Sequence, residues 1–336
     1  MKLNFLLPNK WKKWGWGMFL IGLGLFITEI STNGSIKLEL PIFGHWGSNF
    51  ILDNNISTDG TSYWGFKVHD VMPTLILILS VIGLLMMYFS REKVEDEMTS
   101  KMRLDSLAWA TILNCILILY ANITFWDFDF LMVLELNMAS ILIIAVLRFE
   151  HLKFWLNRSK KSILLKKERF LISRKWLYIG SILFAGALGM HIFTMLNDYS
   201  SEILIPKTFD LAWNNAIEYI LDKAPAHLST RYDYHNAYDT ISIALSIIGL
   251  LFITFSKENV EDEYISDIRL NALSWAIISH YFVIILVSLL VWGGIYLYVM
   301  LYAMFTPMVF FIIRFNYLKY KMRKSLANEI IEGEAS

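Results

Sequence analysis

The chain has 336 residues, of which 56% are hydrophobic, 15% aromatic and only 18% charged, and its mean hydropathy is +0.48. A soluble chain carries roughly 25% charged residues, so the composition is that of a membrane protein. Thirty basic residues balance thirty acidic ones, which leaves no polyanion-binding field and no expectation of a nucleic-acid partner. The single cysteine, Cys115, excludes an internal disulfide framework and a cysteine-cluster metal site.

About 20 mostly apolar residues are needed for a helix to span the hydrocarbon core. In chain order, eight stretches meet this length: 14–30, 71–90, 105–125, 130–147, 176–196, 239–256, 271–291 and 294–313. The last two are so close that they must form a helical hairpin. Pro307 should kink the eighth. The first follows a basic start, but the chain continues Thr28-Glu29-Ile30 with no small-residue cleavage site, so an uncleaved anchor is expected. With the N-terminus inside, 25 of the 30 Lys and Arg fall in cytoplasmic segments. That predicts both termini on the cytoplasmic side of a multi-pass protein.

The sequence is also written twice. Shifted by 166 residues, 69–153 aligns with 235–319 without a gap, and 31 of these 85 positions are identical. Val81-Ile82-Gly83-Leu84-Leu85 answers Ile247-Ile248-Gly249-Leu250-Leu251, Trp126 answers Trp292, and Arg148-Phe149 answers Arg314-Phe315. Upstream, Lys12-Lys13-Trp14 resembles Arg174-Lys175-Trp176. The expected fold is therefore all-α, with eight transmembrane helices in two tandem, parallel-oriented four-helix repeats. These occupy 1–153 and 176–325, joined by a basic cytoplasmic linker at 154–175 and followed by a tail at 326–336. An even number of spans per repeat preserves orientation, so the halves should be related by an axis near the membrane normal.

The first outer loop of each half carries an alternating run ending in proline, Ile36–Pro41 or Glu202–Pro206, which predicts a short edge strand. Within 211–222 the spacing of Leu211, Ala212, Ile217, Ile220 and Leu221 suits a surface-lying amphipathic helix. Small residues should allow close helix packing: Gly15, Gly17, Gly22 and Gly24 on the first span, and Ser181, Ala185 and Gly189 on the fifth.

The strongest repeated signal is Ser-(Lys/Arg)-Glu-x-Val-Glu-Asp-Glu after the second span of each half. It contains Glu92, Glu95, Asp96 and Glu97 in the first copy and Glu258, Glu261, Asp262 and Glu263 in the second. If the second span continues as helix, Glu92, Glu95 and Asp96 share one face. Such a cluster could dock a basic partner or hold a divalent cation. Because Arg103, Arg148, Arg269 and Arg314 are retained with it, an ion-pair network is the favoured reading. His69 and His235 begin the second span at the outer face, where a helix-end hydrogen bond is expected. Trp109, Trp275, Trp126 and Trp292 have the placing of interfacial anchors.

Within the spans, ionisable and polar residues are sparse: Asn114, Glu135, His191 and His280 are the candidates, of which Asn114 and His280 are matched positions. Hydrogen bonds between helices are the expected role. No nucleotide loop, nucleophile elbow, metalloprotease helix or kinase signature occurs, so no enzyme activity, cofactor or metal is expected.

The pattern (Lys/Arg)-Glu-x-x-Glu-Asp-Glu, Arg-Leu, Trp-Ala and a closing Arg-Phe resembles four-span integral membrane proteins of Bacteroidota whose activity is uncharacterised, here as two fused copies. The resemblance implies a bacterial inner (plasma) membrane location and no particular chemistry. Two functions follow as expectations. One is a non-catalytic regulator, sensor or scaffold with acidic cytoplasmic hairpins, embedded in the lipid bilayer and engaging a cytoplasmic or membrane protein partner. The alternative is a channel or transporter for an ion or small molecule along the interface of the two repeats.

Overall fold

The structure, a computed structural model, describes residues 6–32, 35–46, 63–93, 95–124, 127–159, 171–196, 236–259 and 262–335. His235, Trp126, Glu261, the strand expected at 202–206, the amphipathic helix expected at 211–222 and the middle of the basic linker lie outside these residues. In chain order the elements are α1 (Lys10–Ser31), β1 (Glu39–Trp46), β2 (Tyr63–Asp70), α2 (Met72–Tyr88), α3 (Glu97–Thr124), α4 (Asp127–Ser159), α5 (Lys175–Leu196), α6 (Asn236–Phe255), α7 (Glu263–Leu290), β3 (Val291–Trp292), α8 (Gly294–Ala303) and α9 (Thr306–Ala335).

Helices dominate. Among the described residues, α1, α3, α4, α5 and α7 are long and apolar enough to cross a membrane. The pair α8–α9, bent by 55°, makes a sixth if it acts as one broken span, and α2 and α6 are shorter apolar helices. Leu20, Ile21, Ile27 and Ile30 on α1 and Ile182 on α5 are all more than half exposed. Water would not tolerate such a continuous apolar exterior on a monomer, whereas lipid does.

Most of the buried apolar side chains described form one core that runs through both sequence halves, with a small separate cluster of Val71 and Trp292 at the sheet. Val81, Leu84, Leu107, Leu142 and Ala145 join Ile247, Leu250, Ala272, Ala276 and Ile277 in the same cluster. At the junction of the halves, Cys115 Sγ lies 3.8 Å from Met308 Sδ, Tyr296 donates to Met138 Sδ at 3.6 Å, and Asn122 donates to the Thr240 carbonyl at 2.9 Å.

Glycine sets how closely α1 approaches α2. A Cβ on Gly15 would stand 2.7 Å from the Gly83 carbonyl oxygen, and one on Gly83 only 2.6 Å from Phe19 N. The second half repeats this: Gly180 would meet the Gly249 carbonyl at 2.7 Å, and Gly249 would meet Phe184 N at 2.8 Å. These contacts revise two expectations. The upstream match runs at 165 residues rather than 162, pairing Lys10-Trp11 with Lys175-Trp176, Gly15 with Gly180 and Phe19 with Phe184. The small face used on α5 is also not the expected one. Ser181 and Ala185 are exposed and Gly189 has nothing near it, because Gly180, one residue earlier, points at α6.

Pro307 has its effect at the break between α8 and α9. Lacking an N–H, it cannot serve the Ala303 carbonyl, which instead accepts from the Thr306 hydroxyl at 2.9 Å. The matched residue in the first half is Ile141, and there α4 runs unbroken for 33 residues.

The small sheet is an addition to the all-α expectation. β1 pairs antiparallel with β2, and β3 joins the other edge of β1 in parallel, giving the order β2-β1-β3. The strand expected to end at Pro41 instead runs through it to Trp46. Pro41 is tolerated because β3 pairs only with His45 and Trp46, so no ladder donor is needed on that edge at Pro41. His69 belongs to β2 rather than to the start of α2. Its ring meets Trp292 edge-on at 4.6 Å. Trp292 is 5% exposed, so it is a buried sheet residue and not an interfacial anchor. Gly44 makes room for it, since a Cβ there would be 2.8 Å from the indole. Gly293, at φ 76°, then turns the chain from β3 into α8.

Gly15→Val should cost about 1–3 kcal/mol through overpacking and lower the melting temperature of the detergent-solubilised protein. Gly17→Ala, a site with nothing within 4 Å, should leave it unchanged or raised. Equal tolerance of both changes would remove the glycine contact from its structural role.

Candidate functional site

The acidic motif and its arginines meet where α2 ends. The helix stops at Tyr88, and neither 89–93 nor 95–96 is helical, so Glu92, Glu95 and Asp96 do not share a helical face as the sequence predicts. A helix end leaves carbonyls without partners. In the first half Arg103, on α3 and 1% exposed, reaches back and donates through Nη1 to the Tyr88 carbonyl, while Tyr88 Oη donates to the Arg103 carbonyl. Its Nη2 meets Glu95 Oε2 at 3.2 Å. The guanidinium carbon lies 4.8 Å over the ring of Phe149.

Arg269 repeats the arrangement with different neighbours. Its Nη1 donates to the Thr254 carbonyl at 3.0 Å and its Nη2 to the Ser256 carbonyl at 3.2 Å, and it lies 4.9 Å over Phe315. A cation held against the last carbonyls of a helix also faces the negative end of the helix dipole.

The chain beyond each cap is pinned by a short parallel bridge to the segment preceding α1 or α5. Leu7 N donates to the Phe89 carbonyl and Arg91 N to the Leu7 carbonyl, both at 2.8 Å. Ile172 does the same between Phe255 and Lys257, both at 2.9 Å.

The other acids have separate tasks. Glu92 accepts from Lys12 at 2.5 Å and from Lys153 at 3.0 Å, and both ammonium groups also reach Glu150, at 2.8 and 3.4 Å. Burial alone would raise the Glu92 carboxyl, but these two cations hold it below the ordinary carboxylate range. In the second half Lys319, the match of Lys153, meets Glu258 at 2.7 Å. Asp96 accepts from Thr99 N at 2.7 Å, and Asp262 from Ile265 N at 2.7 Å, so both act at the N-termini of α3 and α7. Hydrogen bonds from Thr99 also lower the Asp96 carboxyl. Glu97 and Glu263 open the same two helices.

Two expected contacts are replaced. Asp96 and Asp262 cap helices instead of approaching arginine. Arg148 and Arg314 stack on tryptophan instead of meeting acids: Arg148 lies 5.3 Å over Trp109 and Arg314 5.0 Å over Trp275. The reason is rotational. Consecutive helical residues point about 100° apart, so when Phe149 and Phe315 turn toward Arg103 and Arg269, the preceding arginines face the neighbouring indoles.

Within the spans the matched positions also pair. Ser140 Oγ donates to Asn114 Oδ1, and at the corresponding places His280 Nδ1 bonds Thr306 Oγ1. His191 Nε2 bonds Tyr302 Oη, and Glu135 sits on an exposed position of α4. Sequence reasoning gave no place in the site to Lys12, Lys153, Lys319, Ser140 or Thr306. The signal for four of them was present: Lys153 and Lys319 close the ungapped match, and Ser140 and Thr306 are matched hydroxyls. Lys12 falls on Leu177 in the 165-residue register, so its part in the cluster could be found only in three dimensions.

Among the described residues, no three His, Cys, Asp or Glu side chains converge as a metal site would require. The arrangement is a set of helix caps, ion pairs and ring stacks that fixes where chain segments end. No known protein family, curated protein or solved structure matches the chain.

Arg103→Ala leaves a buried carbonyl and a carboxylate without their partner, at a cost of about 3–5 kcal/mol. Arg148→Ala removes a ring stack, at about 0.5–2 kcal/mol. Thermal unfolding in detergent should therefore rank Arg103→Ala well below Arg148→Ala. The reverse order would show that the cap is not the stabilising contact.

Proposed function

We propose that this is a non-catalytic integral membrane protein that acts as a regulator, sensor or scaffold. The observation that carries this reading is how the retained polar residues are used: in each half they hold helix ends and helix pairs together. Glu92, Glu95 and Asp96 are engaged within the protein, so the acidic hairpins act as fasteners rather than as a docking surface. Among the described residues, the β1–β2 hairpin offers a surface for a partner: Phe43, Trp64, Phe66 and Val68 are each at least half exposed. The transport reading gains no support from Asn114 and His280, since both are spent on interhelical hydrogen bonds.

The architecture we propose is eight spans in two parallel four-helix repeats, in a bacterial inner membrane with both termini cytoplasmic. The short helices fit it. α2 has 17 residues, about 25 Å of helix. It begins beside the hairpin, where Val71 N donates to the Leu38 carbonyl at 3.0 Å, and ends beside Leu7, so it returns across the depth that α1 covers. Next to α5, α6 has the matching glycine contact and Ser242 Oγ donating to the Ala187 carbonyl at 3.3 Å. The lysine and arginine distribution then sets the motif on the cytoplasmic side and the hairpin outside.

In a Cys115→Ala background, single cysteines at positions 59 or 229 should react with an impermeant thiol reagent from outside, and those at 99 or 162 should not. Outside labelling at 99 would overturn the topology. For the function, crosslinking in native membranes should trap a defined partner that the double variant Trp64→Ser/Phe66→Ser loses. Proteoliposomes should conduct small ions no faster than empty vesicles; specific flux would instead establish transport.

A further inference from the structure

A cavity of about 760 Å³ lies beside the second copy of the motif, lined by Arg174, Glu258, Asp262, Tyr264, Lys319 and Arg323 among others. Its volume falls in the range of small-molecule sites. The first half shows what the corresponding place holds when it is filled. There the Lys12 ammonium is wedged between Glu92 and Glu150, and Lys153 closes the cluster. Two cations face two carboxylates, and the charges balance within the protein.

The second half has changed two of these positions and two others nearby in sequence. By the contact-derived register upstream and the ungapped match downstream, Lys12 becomes Leu177, Glu150 becomes Asn316 and Asn9 becomes Arg174; continued four residues past its end, the same 166-residue offset sets Arg323 against Asn157. The internal plug and one of its carboxylates are gone, and two guanidiniums are gained. Of the carboxylates that remain at the cavity, Glu258 is held by Lys319 at 2.7 Å and Asp262 accepts from the backbone N–H of Ile265 at 2.7 Å. Neither is bonded to the new arginines. Arg174 lines the cavity and its Nη1, shielded from solvent, has no hydrogen-bond partner among the described residues. A sequestered guanidinium donor is a costly group to leave unmatched.

We propose that this cavity binds a phosphate-bearing anion through Arg174, Arg323 and Lys319, two of which, the arginines, are asparagine at the matching positions of the first half. Guanidinium groups present paired donors that match phosphate oxygens, and two of them with a lysine supply the charge. Lys319 would be shared between Glu258 and the ligand, while Asp262 would keep its bond to the Ile265 N–H. The phosphate could come from a soluble phosphate compound or from a phospholipid head group.

The test uses the full-length protein in detergent, stripped of lipid, with two kinds of probe. Inorganic phosphate and pyrophosphate are titrated by calorimetry. Retention of phosphatidylglycerol against phosphatidylcholine is read by native mass spectrometry after passage through mixed vesicles. Saturable binding of the free anions assigns a soluble ligand, and selective retention of phosphatidylglycerol assigns a lipid head group. With either probe, Arg174→Gln and Arg323→Gln should each weaken binding by about tenfold or more, as expected for loss of a charged hydrogen bond. Lys12→Gln, which breaks the first-half cluster, should leave binding unchanged. Arg323 is exposed, so its variant decides the matter should Arg174→Gln fail to fold. Absence of binding by both probes would overturn the proposal. So would wild-type affinity in Arg323→Gln, or an equal loss in Lys12→Gln.

Discussion

The contact on which the rest of this protein depends is a buried arginine closing the end of a helix. When α2 stops at Tyr88 and α6 at Phe255, their last carbonyls face a region too dry for water to serve them. Arg103 and Arg269 satisfy them from the next helix, with a planar cation that can donate in two directions while lying flat on a phenylalanine. That one group ties α2 to α3 and to α4, and in the second half α6 to α7 and to α9. Because the chain just beyond the cap also carries the bridge to Leu7 or Ile172, the entry of α1 and of α5 is set by the same fixed point.

The halves reach the same ends with different chemistry. Tyr88 returns a hydrogen bond to Arg103; Thr254 cannot, and Arg269 takes a second carbonyl, that of Ser256. Asn114 with Ser140 is replaced by His280 with Thr306. Substitution of both partners keeps each buried polar group matched, which is the condition for a polar pair to survive inside an apolar core. Where one partner changes alone, as with Ile141 and Pro307, the backbone changes too, and the straight α4 becomes the bent α8–α9.

On the far side from the motif, Trp292 helps to lock the two halves together. Trp292, from the second half, lies in the sheet of the first, seated on Gly44 and against His69. Burial pushes the His69 imidazole below its usual value, the Asp70 charge opposing and Lys67 adding to the effect. His69 is thus a packing partner of the indole at neutral pH. The hairpin is held to the helical body from both ends, leaving its Phe43, Trp64 and Phe66 face free to meet a partner.

Composition and periodicity alone determined that the chain belongs in a membrane, where most of its helices lie, and which residues recur 166 positions apart. Those conclusions needed only the length of apolar runs and identity at a fixed spacing, both local properties of a string. Partner choice was another matter. The acids, Arg103 and Arg148 were visible as a retained set, but only the tertiary structure decided that Glu95 takes Arg103, that Asp96 caps a helix and that Arg148 goes to Trp109. Each outcome depends on where α2 ends and on a 100° step around α4, and neither can be read from spacing. The register of α1 was settled the same way. Lysine-lysine-tryptophan likeness pointed to an offset of 162, while the close approach of Gly15 to Gly83 and of Gly180 to Gly249 requires 165. Sterics between backbones select one alignment where sequence likeness permits two.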